Sequence, residues 1–228
     1  MRLILARHGQ TDDNVRGMVQ GQTDTPLNDQ GRHQSAQLSE SLKRYHITKA
    51  YTSPLSRASE QTAKIVLAYH PDAPLYFQDD LRERGWGSLE GQVWIPGTII
   101  PDDAESFDDF TRRSTDWFAK LLDAHIPHLP SPEEAPPLLR GPSPKSHHST
   151  EDVILIITHS EWLERFAAIT CSSPYFFGQT EKCDMKARMA NASVAEVDCV
   201  YDHQEGVWKG MIEGWGAVGH LSRMGESD

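Results

Sequence analysis

Two stretches of the chain are apolar at every position: Leu3-Ile4-Leu5-Ala6 near the start, and Val153-Ile154-Leu155-Ile156-Ile157 farther on. Short runs of this kind read as strands buried on both faces, so strands are predicted over 2–6 and 152–160. A third short strand is predicted at Lys49–Ser53. Other stretches repeat with a helical period. Asn28 is a good N-cap for a helix reaching about Arg44, with Leu38, Leu42 and Tyr45 on one face. Pro54 and Ser56 suit the start of a helix that takes apolar surface from Ile65, Leu67 and Ala68. Phe107, Phe110, Trp117 and Leu121 make a stripe on a helix at about 105–124. Another helix, EWLERFAAIT, follows the 152–160 strand. SVAEVDCVY and VWKGMIE alternate like strands around the turn-type DHQEG, which predicts a hairpin. Strand–helix alternation over most of the chain points to one α/β domain over 1–228 with a mostly parallel sheet.

The stretch over 127–152 breaks this pattern. It is rich in Pro, Ser and charge, has no period, and reads as a Pro/Ser-rich surface insertion. His147 and His148 lie in it, without a third ligand at a convincing spacing for a metal. The formal net charge of −11 over 228 residues repels nucleic acid and anionic membranes. No apolar run approaches the ~20 residues that span a bilayer, and MRLILARHG is too soon interrupted by charge for a signal segment. The expected setting is therefore soluble and cytoplasmic. Three cysteines with no C-x-x-C spacing argue against a disulfide framework and read as buried free thiols. The six Trp read as core or pocket wall.

Chemistry is expected where strands end. Arg7 and His8 follow the first strand, Arg57 follows YTSP, and His159 follows VILIIT. In a parallel sheet these ends share one edge, so the four side chains can converge. Two arginines and two histidines there would form an electropositive pocket suited to phosphate, and Gly9 would let backbone N–H groups approach it. The remaining histidines read as surface or packing residues.

LARHGQT, with Asn14 six residues after His8, resembles the Arg-His-Gly signature of the histidine phosphatase (phosphoglycerate mutase-like) superfamily. YTSPLSRASEQTA, centred on Arg57, is similar to its second signature. LRERGWGSLEG (81–91) is similar to the third, and IITHS, with His159, to the last. GQTDTPLNDQG matches the segment before the family's first long helix. The four signatures occur in the family's order. The resemblance implies a three-layer α/β/α sandwich and a phosphohistidine mechanism. In it His8 is the nucleophile, Arg7, Arg57 and His159 hold the phosphoryl oxygens, and Glu83 is the acid. Asn14, Gln20 and Gly21 join Arg7, Arg57 and His159 in binding substrate. No metal or cofactor is implied, and the partner is a small phosphorylated metabolite. The tautomer of His8 should be set by a bond from its other nitrogen to backbone near Gly9. His159 is more useful as a cation, and the phosphate should raise its pKa.

The same groups can pass phosphate to water or to a second hydroxyl. The family's mutases carry a basic segment after the third signature. Here QVWIPGTIIPDDA contains no Lys or Arg, which favours hydrolysis. Among the phosphatases the chain looks similar to the fructose-bisphosphatase-like TIGAR type. It departs from the pattern after His159, where Ser160 and Glu161 replace small residues and bring a carboxylate near the pocket mouth. A broader phosphomonoesterase is the reading; a mutase-type phosphotransferase and a non-catalytic phosphate-binding protein are the alternatives. Arg112 and Arg113 read as surface residues, and Glu90 has no assigned role. The oligomeric state is not legible.

Overall fold

The two all-apolar runs become adjacent strands at the centre of one sheet. β1 (Arg2–Arg7) and β4 (Val153–Thr158) run parallel, from Arg2 opposite Val153 to Arg7 opposite Thr158. Leu3, Leu5, Ile154 and Ile156 enter one apolar cluster, while Ile4, Ala6, Leu155 and Ile157 enter another. Side chains alternate between faces along a strand, so a strand covered on both sides has no polar positions left. This computed structural model describes residues 1–127, 152–181 and 183–221. The insertion expected over 127–152, with His147 and His148, lies outside the described residues except at its two ends.

β2 (Lys49–Thr52) pairs parallel with β4, and β3 (Leu75–Phe77) pairs parallel with β2. On the far side of β1 lies the predicted hairpin, β6 (Val194–Asp202) and β7 (Val207–Ala217), with β6 antiparallel to β1. The two-residue β5 (Gly178–Gln179) completes the order β3-β2-β4-β1-β6-β7-β5. The sheet is thus mixed, parallel in the half that carries the expected chemistry.

Helices cover both faces. α1 (Asp12–Arg16) is a short turn after β1. α2 (Asp29–Leu42), capped by the Asn28 side chain on the Gly31 N–H, puts Leu38 and Leu42 against Ile4 and Leu155. α4 (Phe107–Asp123) and α5 (Ser160–Thr170) pack on the other face through Phe110, Trp117, Phe118, Trp162 and Phe166. The helix expected after Pro54 is irregular: a π turn over Ser59–Ala63, then α3 (Lys64–Val66), then a 3-10 turn over Leu67–Tyr69. The cause is local. Ser59 Oγ donates to the Pro54 and Leu55 carbonyls, and Thr62 Oγ1 donates to the Arg57 carbonyl at 2.7 Å. Hydroxyls that take ladder acceptors displace the α pattern. Cys183 and Cys199 are buried as expected, but Cys171 is exposed. Among the described residues no helix is long and apolar enough to cross a membrane.

The expectation for Arg113 is corrected. Arg112 is exposed and pairs with Asp109, whereas the Arg113 side chain is only 15% exposed. Arg113 forks onto Glu105 at 2.6 and 2.9 Å and donates to the carbonyls of Asp80, Arg82 and Glu83 at 2.8–2.9 Å. One guanidinium therefore braces the whole 80–83 segment. Burial pushes the Glu105 carboxyl up, but the Arg113 fork and the Gly85 N–H outweigh it and hold it below its ordinary value. Its contribution to stability is thus present above pH about 4.5 and is lost as pH falls through the lower folded value. Arg113→Met should lower unfolding stability by about 3 kcal/mol and shrink this acid-dependent loss, while Arg112→Met leaves the urea midpoint unchanged. Equal midpoints for the two variants would remove Arg113 as the brace.

Candidate active site

The C-terminal ends of β1, β2 and β4 lie side by side, and each delivers a polar group to the same place. This is the edge where open α/β sheets present their sites. β1 ends on Arg7, with His8 next. Ser53 follows β2, and His159 follows β4. Gly9 can continue the chain only because it has no Cβ: one there would run into the Gly31 carbonyl at the start of α2.

His8 is 2% exposed. Its Nδ1 lies 2.7 Å from the Gly9 carbonyl. A carbonyl only accepts, so Nδ1 carries the proton and Nε2 keeps its lone pair. Burial, with Arg57 and Arg7 beside it, holds the pKa well below the ordinary histidine value. The ring is neutral at physiological pH. The predicted tautomer bond to the Gly9 region is present.

Arg7 and Arg57 are buried cations. Arg7 Nη1 donates to the Met189 carbonyl at 2.8 Å, and burial lowers its pKa to about 10, which leaves it charged. Arg57 is 1% exposed and donates to the carbonyls of Thr23 and Gly21 at 2.7 and 2.8 Å. The Nε of each has no partner among the described residues. Thr62 Oγ1, which caps the Arg57 carbonyl, also accepts the Gly9 N–H at 3.2 Å. The π turn therefore ties the arginine to the histidine loop.

The structure brings His159 next to His8. It is fully buried, with its ring centroid 5.1 Å from that of His8 and Nε2 2.8 Å from Ser53 Oγ. Burial and Arg57 push its pKa well down, so by themselves these surroundings favour the neutral ring; the expected cation is one that bound phosphate would have to raise. Its Nδ1 has no partner among the described residues.

Asn14, Gln20 and Gly21 do line the cavity, which has a volume of about 780 Å³. Asn14 Oδ1 accepts the Thr11 N–H and the Asn191 side chain, which leaves its NH2 as the free polar group. Gln20 Oε1 accepts the hydroxyls of Thr11 and Thr25, with the same result. Gly21 has φ +51°, and a Cβ there would strike the Glu90 carboxylate. Glu90, left without a role by the sequence, accepts the Gln22 and Trp86 N–H groups and the Thr23 hydroxyl, and so fixes the 20–23 wall. Asn191 is the other residue that sequence reasoning missed. It donates to the carbonyls of His8 and Gly9, both at 3.2 Å. Its only sequence signal is its place in NASVAEV, and there the alternation speaks for the strand alone.

Glu83 enters from the segment that Arg113 braces. Its carboxylate oxygens accept the Arg84 and Glu161 N–H groups, each at 3.2 Å. Burial raises its pKa, against those two amides and Arg57. The outer wall is aromatic, with Trp86 and Trp94 in edge contact at 5.4 Å and Phe107 nearby. Among the described residues, no three His, Cys, Asp or Glu side chains are placed to hold a metal ion. Positive charge in the cavity comes from arginine.

A neutral imidazole with a free lone pair, two buried cations and a carboxyl that resists ionisation suit nucleophilic attack on a phosphoryl group. A probable phosphatase of Schizosaccharomyces pombe is 42% identical over 91 residues, 40% of this chain and 43% of that protein. The chain therefore spans less than half the length of that relative. A probable phosphoglycerate mutase, GpmB, of Escherichia coli is 26% identical over 97% of this chain and 95% of its own length. The fold is shared with the mycobacterial glucosyl-3-phosphoglycerate phosphatase solved with VO3, at a TM-score of 0.70 and 24% identity over 95% of this chain and 99% of that one. Residues 3–128 match the family description of the histidine phosphatase superfamily (branch 1). That segment carries Arg7, His8, Arg57 and Glu83, and the chain belongs to this superfamily.

Proposed function

We propose that the protein is a metal-independent phosphomonoesterase that hydrolyses small phosphorylated metabolites through a phosphohistidine on His8. The observation that carries this reading is the His8 Nδ1 bond to the Gly9 carbonyl, which leaves Nε2 free between two buried arginines. Nε2 attacks phosphorus in line, and the P–O ester bond breaks. Arg7 and Arg57 neutralise the equatorial oxygens, whose charge a loose transition state spreads. Glu83 passes its proton to the leaving oxygen. Its carboxylate then takes a proton from the water that cleaves the N–P bond. Asn14 and Gln20 offer NH2 donors, and Gly21 offers backbone, to the same oxygens. A bound phosphoryl dianion would reverse the field that keeps His159 neutral, which lets that ring take up charge during turnover.

The similarity to a probable mutase favours a second reading, transfer between hydroxyls of a phosphoglycerate. The segment between Gly91 and Glu105 weighs against it. It carries no Lys or Arg, and Val93, Ile95 and Ile99 stand exposed on it. A basic grip on a second acidic group is missing there. With its free cysteines, this protein fits a reducing, cytoplasmic setting.

The wild-type protein should hydrolyse p-nitrophenyl phosphate in EDTA, and base-quenched reactions should carry an acid-labile phosphoryl group on His8. His8→Ala should abolish both. Turnover without that adduct defeats the mechanism, and tight vanadate binding without turnover points to a binding protein. Glu83→Gln should cost ~10²–10⁴-fold on alkyl phosphates, whose alkoxide needs a proton, and far less on p-nitrophenyl phosphate. Equal losses on the two would remove Glu83 from the acid role.

A further inference from the structure

α5 begins directly after His159, and its second residue, Glu161, faces the cavity. The Glu161 N–H is one of the two amides on the Glu83 carboxylate. Its own side chain is half-buried, and its carboxyl has no hydrogen-bond or ion-pair partner among the described residues. The cations nearby are engaged elsewhere. Arg84, on the Glu83 segment, donates to the Glu105 carbonyl at 2.9 Å and stacks 4.6 Å over Trp86. Arg188, on the 183–193 loop, donates to Ser160 Oγ at 2.9 Å and lies 3.8 Å from Glu164 of α5. Arg7 and Arg57 face Glu83 from the floor of the cavity. Glu161 is therefore a carboxyl without a cation of its own, joined through its backbone to the proposed acid.

An unpaired carboxyl in such a place keeps its proton. Burial first, and then the negative charge of Glu83, push Glu161 up to about 8, with Arg84 and Arg188 opposing and Glu164 adding to the rise. Two carboxyls in one cavity titrate as a pair, whose last proton leaves at a higher pH than either group would show alone. We infer that Glu83 and Glu161 hold one proton between them, with Glu161 a positioning residue that stores it for Glu83. When Glu83 enters ionised, it takes the Glu161 proton and gives it to the leaving oxygen. Water attack on the phosphohistidine returns a proton to the pair, so the cycle balances. A lone Glu83, held by two amides and facing two arginines, would lose its proton at a lower pH.

This inference rests on the hydrolytic reading above. The test is the pH profile of kcat/KM for wild type, Glu161→Gln and Glu161→Asp, with an alkyl phosphate and with p-nitrophenyl phosphate. In wild type the alkaline limb for the alkyl ester should lie near pH 8. Glu161→Gln should move it down by about one unit, a roughly fivefold loss at pH 8 that approaches tenfold at higher pH, and leave the p-nitrophenyl phosphate profile in place. Glu161→Asp should restore the limb. An alkaline limb that stays put in Glu161→Gln, or moves equally for both esters, overturns the inference. So does a change confined to KM for substrates with a second phosphate, which would make Glu161 a charge filter. Wild-type turnover with label on His8 and an unmoved limb sinks only the proton store. Absence of any labelled His8 sinks the hydrolytic reading with it.

Discussion

A single hydrogen bond, from His8 Nδ1 to the carbonyl of the next residue, decides what this cavity can do. It consumes the only ring proton of a neutral imidazole and leaves the other nitrogen as a base and nucleophile. The two arginines reinforce the choice, because a further buried cation beside them would be costly. Burial and their charge keep both His8 and His159 in the neutral form. The same field that suppresses protonation of the rings is the one a phosphate dianion would relieve. In the proposed mechanism, anion binding and nucleophile activation thus share one electrostatic origin.

The site is held less by its own side chains than by a layer behind them. Thr62 joins the Arg57 carbonyl to the Gly9 amide, Asn191 pins the His8 and Gly9 carbonyls, and Glu90 closes the 20–23 wall. Arg113 collects the Asp80, Arg82 and Glu83 carbonyls of the segment that presents Glu83. Each satisfies backbone groups that a loop-built site would otherwise bury unpaired. The irregularity of the helix after Pro54 belongs to this layer as well. Its π turn is where hydroxyls leave the helical ladder to serve the site.

Much of this was legible in order along the chain. The buried strands predicted at 2–6 and 152–160, found at Arg2–Arg7 and Val153–Thr158, announce themselves because both faces are covered, and the positions of Arg7, His8 and His159 follow from where the apolar runs stop. The Asn28 cap, the stripe through Phe110 and Trp117 and the hairpin were also readable, since each is a local pattern. β3, β5 and α1 are too short to carry a period; α1 is held by a capping box between Thr11 and Asn14 and buries no side chain. The helix after Pro54 was placed but not its form. Hydroxyl competition depends on which carbonyls come within reach.

Composition and local pattern determined the α/β layering, the parallel half of the sheet and the edge at which cations and imidazoles gather. Tertiary structure alone decided what those residues do to one another. It turned Arg113 from an exposed helix residue into a brace, buried His159 beside His8, and set Glu161 beside Glu83 without a cation. The physical reason is the range of the interactions. Strand and helix patterns are written over neighbouring residues, whereas burial, field and hydrogen-bond partners come from segments as distant as Glu83 and Glu161, which meet only after the sheet has formed.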